Sequence, residues 1–131
     1  MKFLHFGKDG GLFSTVWGFW LVELKRLFSI VLLVFEPGSR DAYHDHAFDA
    51  ISWVLRGELH EEHLATGRVV IHRPSWRPII TRRSTFHKVV SVGRTWVFSL
   101  RGPWTATWHE YEPRDDRFTT LAEGRNIVEI A

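Results

Sequence analysis

The segment Gly38-Ser39-Arg40-Asp41-Ala42-Tyr43-His44-Asp45-His46, followed by a second glycine at Gly57, decides how the rest of the chain is read. Side chains alternate across a β-strand, so His44 and His46, two residues apart, share one face if the stretch is extended. That spacing suits two ligands of one metal ion, whereas a helix would need them four apart. Pro37-Gly38 supplies a turn just before the pair, as a ligand strand at a barrel mouth requires. On these residues alone two readings stand: a metal site, or two solvent-facing histidines.

The flanking sequence decides the fold class. Turn signals recur at Gly10-Gly11, Pro37-Gly38, Gly57, Gly67, Pro74, Pro78, Gly93, Gly102-Pro103, Pro113 and Gly124. Between them lie runs rich in β-branched and aromatic residues. Strands are expected at about 14–23, 28–36, 44–56, 59–65, 69–72, 79–82, 87–92, 95–101 and 105–110. Many short strands at regular spacing make a sandwich or barrel, not βαβ units. Ile51–Leu55 and Trp96–Leu100 are apolar on both faces and read as strands covered on both sides. Thr119–Glu123 is the one stretch that could form a helical turn.

The 131 residues make one domain with room for a real core, and 44% apolar with 24% charged residues is a globular balance. With no cysteine, disulfides, thiolate zinc sites and a cysteine nucleophile are excluded. Chemistry must come from imidazole, carboxylate, hydroxyl or a bound metal. A net charge of +2 without any basic tract argues against a nucleic-acid partner. Residues 12–35 are hydrophobic but carry Glu23, Lys25 and Arg26, which argues against a membrane span. The start of the chain shows no apolar stretch of a secretory signal, so the expected compartment is the cytoplasm.

From Gly38 to Gly57 the sequence reads G-x5-H-x-H-x10-G, which resembles the first motif of the cupin superfamily. That motif carries a glutamate three or four residues after the second histidine plus one, where this chain has Ala50 or Ile51. The second motif of the family is reduced, around 82–91, to His87, with Ser91 in place of an asparagine. His44–Asp49, Val54-Leu55-Arg56-Gly57, Glu61-Glu62 and Gly102-Pro103-Trp104 are also similar to a set of short single-domain cupins found in phage and bacterial genomes. The resemblance implies an antiparallel β-barrel, a double-stranded jelly roll over residues 1–131, and a metal held by His44, His46 and His87.

Three neutral imidazoles leave two or three positions open on a divalent ion, as catalysis requires. The missing glutamate moves the site toward three-histidine cupins such as thiol dioxygenases, so the resemblance favours Fe(II), with Zn, Mn or Ni as alternatives. The implied function is a small-molecule oxygenase. A non-redox isomerase or lyase and a non-catalytic binding module are the alternatives.

Asp49 is expected to face away from the metal and either orient a ligand or bind a turn. If strand parity runs unbroken from His46, Glu62 faces inward as a base or a fourth ligand; a bulge at Gly57 would bring Glu61 inward instead. Arg68, Arg73, Arg77, Arg82 and Arg83 are expected on the outer surface. The seven tryptophans and the two-faced strands point to a homodimer using strands such as 16–24.

Overall fold

The computed structural model describes residues 2–9, 14–38, 43–122 and 126–130. Among these, the strands are β1 (Lys2–Lys8), β2 (Val16–Leu24), β3 (Phe28–Phe35), β4 (Tyr43–His44), β5 (Ala50–Arg56), β6 (Leu59–His63) and β7 (Val69–His72). They continue with β8 (Ile79–Thr81), β9 (His87–Ser91), β10 (Thr95–Arg101), β11 (Thr107–Glu112), β12 (Arg117–Ala122) and β13 (Asn126–Ile130). All pairings are antiparallel, in a six-stranded sheet ordered β1-β2-β3-β10-β5-β8 and a seven-stranded sheet ordered β13-β12-β11-β4-β9-β6-β7. The chain is all-β, as the turn spacing leads one to expect, and forms the jelly roll that the resemblance implies. Among the described residues no helix is long and apolar enough to cross a membrane.

The sequence pattern and the fold part company in four places. The stretch expected as one strand, 44–56, is two. Residues 45–49 carry the chain from the seven-stranded sheet to the six-stranded one and are held by bonds that a straight strand could not make. The Asp45 and His46 amides donate to His109 and Arg83 carbonyls, and the Ala47 carbonyl accepts from Thr105. Thr119–Ala122 is not a helical turn but part of β12, where Thr119 and Leu121 pair with Glu110 and Trp108; Glu123 lies outside the described residues. Strands β1 and β13 were not expected either. Finally, Ile51 and Leu55 on β5 and Trp96 and Leu100 on β10 are exposed on the outer face of the single chain, while Val54 and Val97 between them are buried inside.

The interior is divided by chemistry. One apolar cluster holds Trp20, Val31, Leu33, Val54, Leu59 and Val97. A second joins Ala47 and Phe48 of the 45–49 crossover to Ala50, Trp108 and Leu121. Burying such side chains contributes roughly 1.5–3 kcal/mol each. The cavity between the sheets measures about 450 Å³.

Candidate metal centre

His44 on β4 and His87 on β9 are direct cross-strand partners, so both rings project into the cavity from one face of the sheet. His46 sits just past the end of β4, and the bond from its amide to the Arg83 carbonyl, 3.2 Å, turns its ring toward the other two. The three ring centroids form an equilateral triangle with sides of 4.9 Å, and the rings meet edge to face at 86°, 68° and 86°. One nitrogen from each ring lies within 4.8 Å of the others. The histidines singled out in the sequence are therefore brought together.

The structure also supplies their support. Glu61, 7% exposed, points inward from β6 and bonds through Oε2 to His87 Nδ1 at 2.5 Å. Its Oε1 lies 3.0 Å from His72 Nε2 and 3.3 Å from His63 Nε2. Burial alone would raise the Glu61 carboxyl, but hydrogen bonds from His72 and His87, with the electrostatic pull of the His87 and His63 rings, outweigh it and hold the group well below the usual carboxylate range. An ionised Glu61 accepts the Nδ1 proton of His87, which leaves the lone pair on Nε2. That Nε2 is buried and has no hydrogen-bond partner among the described residues. A nitrogen acceptor so placed, beside two further imidazoles, fits a divalent cation.

Glu61 rather than Glu62 faces inward because the chain changes parity before β6. The β5–β10 register slips between Trp96 and Val97, and Gly57 turns with φ of +97°. A Cβ at Gly57 would stand 2.5 Å from Thr95 Oγ1 and 2.7 Å from the Arg94 carbonyl oxygen, so only glycine fits. The expectation that Glu62 serves as a catalytic group in the pocket is corrected accordingly. Its Oε1 accepts the Tyr43 hydroxyl at 2.7 Å on the outer face, with Lys88 Nζ 3.8 Å from Oε2.

Asp49 is exposed, and its Oδ1 accepts the Arg83 amide at 2.7 Å. It binds the turn, the second of its two expected roles, and the carboxylate that orients an imidazole is Glu61. Asp45, between the two histidines, points the other way and takes the His109 amide and ring Nδ1 at 2.6 and 2.9 Å. That clamp fixes the crossover carrying His46.

Two buried charged residues of the cavity, Arg101 and Glu23, were not singled out by sequence. Arg101, 6% exposed, lies 4.6 Å from the Phe48 ring centre and pairs with Asp9 at 2.7 Å. Glu23 is buried at 2% exposure. A charge inside or at the end of an otherwise apolar strand is the signal that could have found both. The five arginines from Arg68 to Arg83 are exposed, as expected. Phe48 packs against His46 and Trp104, with centroids 5.4 and 5.2 Å away, and gives the cavity an aromatic wall.

No protein-family model and no curated protein matches the sequence. Solved structures do match in shape. A sugar phosphate isomerase of the cupin superfamily from Silicibacter pomeroyi superposes with a TM-score of 0.60 at 16% identity, over 89% of this chain and 74% of that one. A putative ethanolamine utilization protein from Salmonella typhimurium gives 0.62 at 17% identity, over 76% of this chain and 80% of that one. A polyketide cyclase from Streptomyces resistomycificus gives 0.58 at 17% identity, over 67% and 65%. With its two antiparallel sheets closed around three converging histidines, the chain has the cupin fold.

Proposed function

We propose that the protein is a metal-dependent enzyme that holds one divalent cation, Fe(II) foremost, on His44, His46 and His87 and oxygenates a small organic molecule bound in the barrel cavity. The observation that carries this reading is the buried Glu61–His87 pair, which presents to the two other imidazoles an Nε2 without a partner among the described residues. A structural core histidine would have both ring nitrogens satisfied. The donor set also accommodates Zn, Mn or Ni, because nitrogen ligands alone do not discriminate among these ions.

When bound, such an ion supplies Lewis acidity and, as Fe(II), one-electron chemistry with dioxygen. The chain does the rest. Glu61 fixes the tautomer and angle of His87. Phe48, Trp104 and Trp108 form an apolar wall that excludes water and packs against a substrate skeleton. Arg101, held in place by Asp9, lies against the Phe48 face of that wall.

A second reading, a non-redox isomerase or lyase, is favoured by one observation: Glu23 places a carboxylate in the same cavity, where proton transfer would need one. Both need an open position on the metal, and they separate on dioxygen. Protein loaded anaerobically with Fe(II) and exposed to nitric oxide should give the spin-3/2 electron paramagnetic resonance signal of iron with an open position, and that iron should be oxidised when dioxygen replaces nitric oxide. Bound iron that gives no such signal would overturn both readings, and iron that gives the signal but stays Fe(II) in air would overturn the oxygenase reading and leave the non-redox one.

A further inference from the structure

Most buried charged and polar groups around the cavity have partners. Glu61 has histidines, Arg101 has Asp9, Asp45 has His109, and Ser99 shares a bond with Ser52. Trp20 Nε1, Trp104 Nε1 and Ser29 Oγ have none among the described residues, and among the carboxylates Glu23 is the exception. Its side chain is 2% exposed, it lines the cavity, and Oε1 has no hydrogen-bond partner among the described residues.

The sheet explains how it comes to be there. Lys2, Glu23, Ser29, Arg101, Ala50 and Thr81 are successive cross-strand partners, one row across all six strands. Cross-strand partners project to the same side, so the row faces inward as a unit. Ser29, between Glu23 and Arg101, is 1% exposed, and its Oγ is likewise unpartnered. A buried carboxylate oxygen and a hydroxyl on adjacent strands, both unsatisfied, are costly to fold and are retained where something else completes them.

We propose that Glu23 is a ligand-binding residue whose Oε1 accepts a hydrogen bond from an alcohol hydroxyl of a hydroxylated organic anion, with the anionic group at the His44, His46 and His87 end. The assignment of the anionic end rests on the metal-centre reading; the hydroxyl contact rests on Glu23 and Ser29 alone. A hydroxyl fits better than an ammonium, because Lys2, the cross-strand neighbour of Glu23, already sets a cation beside the carboxylate. A divalent ion adds positive charge and calls for a carboxylate at the other end. A cavity of about 450 Å³ accommodates a molecule of this kind.

The test pairs a change in the ligand with a change in the protein. The probes are glycolate, 3-hydroxypropionate, 4-hydroxybutyrate and 5-hydroxyvalerate, each against its parent acid without the hydroxyl. Binding is read on Zn-loaded and on metal-free protein by the fluorescence of Trp20 and Trp104, which line the cavity. At one chain length the hydroxyl should improve binding to wild type by about tenfold or more, the scale of one good hydrogen bond to a charged group. That increment should vanish in Glu23→Leu while the parent acid binds both proteins alike. If no length shows an increment in wild type, or if the increment survives in Glu23→Leu, the proposal falls. Parent acids that bind equally with and without metal would instead overturn the metal-centre reading and leave the Glu23 comparison to be decided on the metal-free protein.

Thermal melting of the metal-free protein is the second readout. An unsatisfied Glu23 predicts that Glu23→Gln and Glu23→Leu melt no lower than wild type. A marked drop in both would mean that the carboxylate is completed by the fold itself, as by an ordered water, and would overturn the proposal.

Discussion

Glu61 Oε2 and His87 Nδ1, on adjacent strands of the seven-stranded sheet, meet at 2.5 Å in the buried floor of the cavity. His72 and His63 approach the other oxygen of the same carboxylate, so Glu61 is the hub of the site although it is not aimed at the cation position itself. The His87 lone pair therefore points into the cavity and need not be reoriented when a cation arrives.

Replacing Glu61 tests that preorganisation. Glu61→Gln keeps an acceptor of the same shape but loses the charge, and Glu61→Ala loses both. Metal affinity should fall about 10–100-fold in the alanine variant, the usual range for a carboxylate supporting a ligating imidazole, and less in the glutamine variant. Isothermal titration with Zn measures both. Unchanged affinity in Glu61→Ala would remove the carboxylate from the site.

Glu62 provides the contrasting case, with a pH signature. Its hydrogen bond to the Tyr43 hydroxyl, then burial, then its own charge push the Tyr43 phenol above its ordinary value of 10.0. Asp116 does the same for Tyr111, the other of the two tyrosines. The tyrosines should therefore ionise above pH 10 in a spectrophotometric titration, and Glu62→Ala should return one of them toward 10. Because the folded value is the higher, the stability from this contact is complete below pH 10 and is lost as pH rises through the folded value. Metal binding should be indifferent to Glu62→Ala; a large loss would put Glu62 back in the pocket.

The outer face of the six-stranded sheet should form a homodimer. Phe3, Val22, Ile30, Leu100, Ile51 and Ile80 make one unbroken apolar row across all six strands. Phe6, Phe19, Leu32, Phe98 and Trp53 make a second beside it. Such rows span about 25 Å, a wide apolar surface to leave in water. Light scattering at micromolar concentration should give a dimer. Ile51→Lys, at a side chain already 41% exposed in the single chain, should weaken it at least about tenfold without unfolding the barrel. A wild-type monomer would contradict this.

What could be read from the sequence and what could not follow from the range of the forces involved. The turn residues and the alternation of apolar side chains are local, and they gave the all-β barrel. His44 and His46 were legible because two residues of one strand share a face whatever the rest of the chain does. The choice between Glu61 and Glu62 was not local. It hung on whether Gly57 interrupts the parity carried from His46, and that depends on a register slip against Trp96 and Val97, forty residues downstream. Glu23 and Arg101 were hidden among apolar neighbours, because their cross-strand row exists only once four non-adjacent segments pair. β1 and β12 escaped for a related reason: Lys2–Lys8 and Arg117–Ala122 are short runs without a clean apolar alternation, and they extend the sheets by pairing with β2 and β11 instead of by their own pattern.

That His44, His46 and His87 hold one divalent cation can be read from the metal content of protein purified without chelator or a histidine tag, then offered Fe, Mn, Ni and Zn in turn, for wild type and for His44→Ala, His46→Ala, His87→Ala and His109→Ala. Wild type and His109→Ala should each bind about one equivalent, and each of the three ligand variants less than about one tenth, with the barrel still folded, since loss of a ligand costs far more affinity than barrel stability. Wild type that stays empty with all four ions, or a His87→Ala variant that keeps a full equivalent, would contradict it.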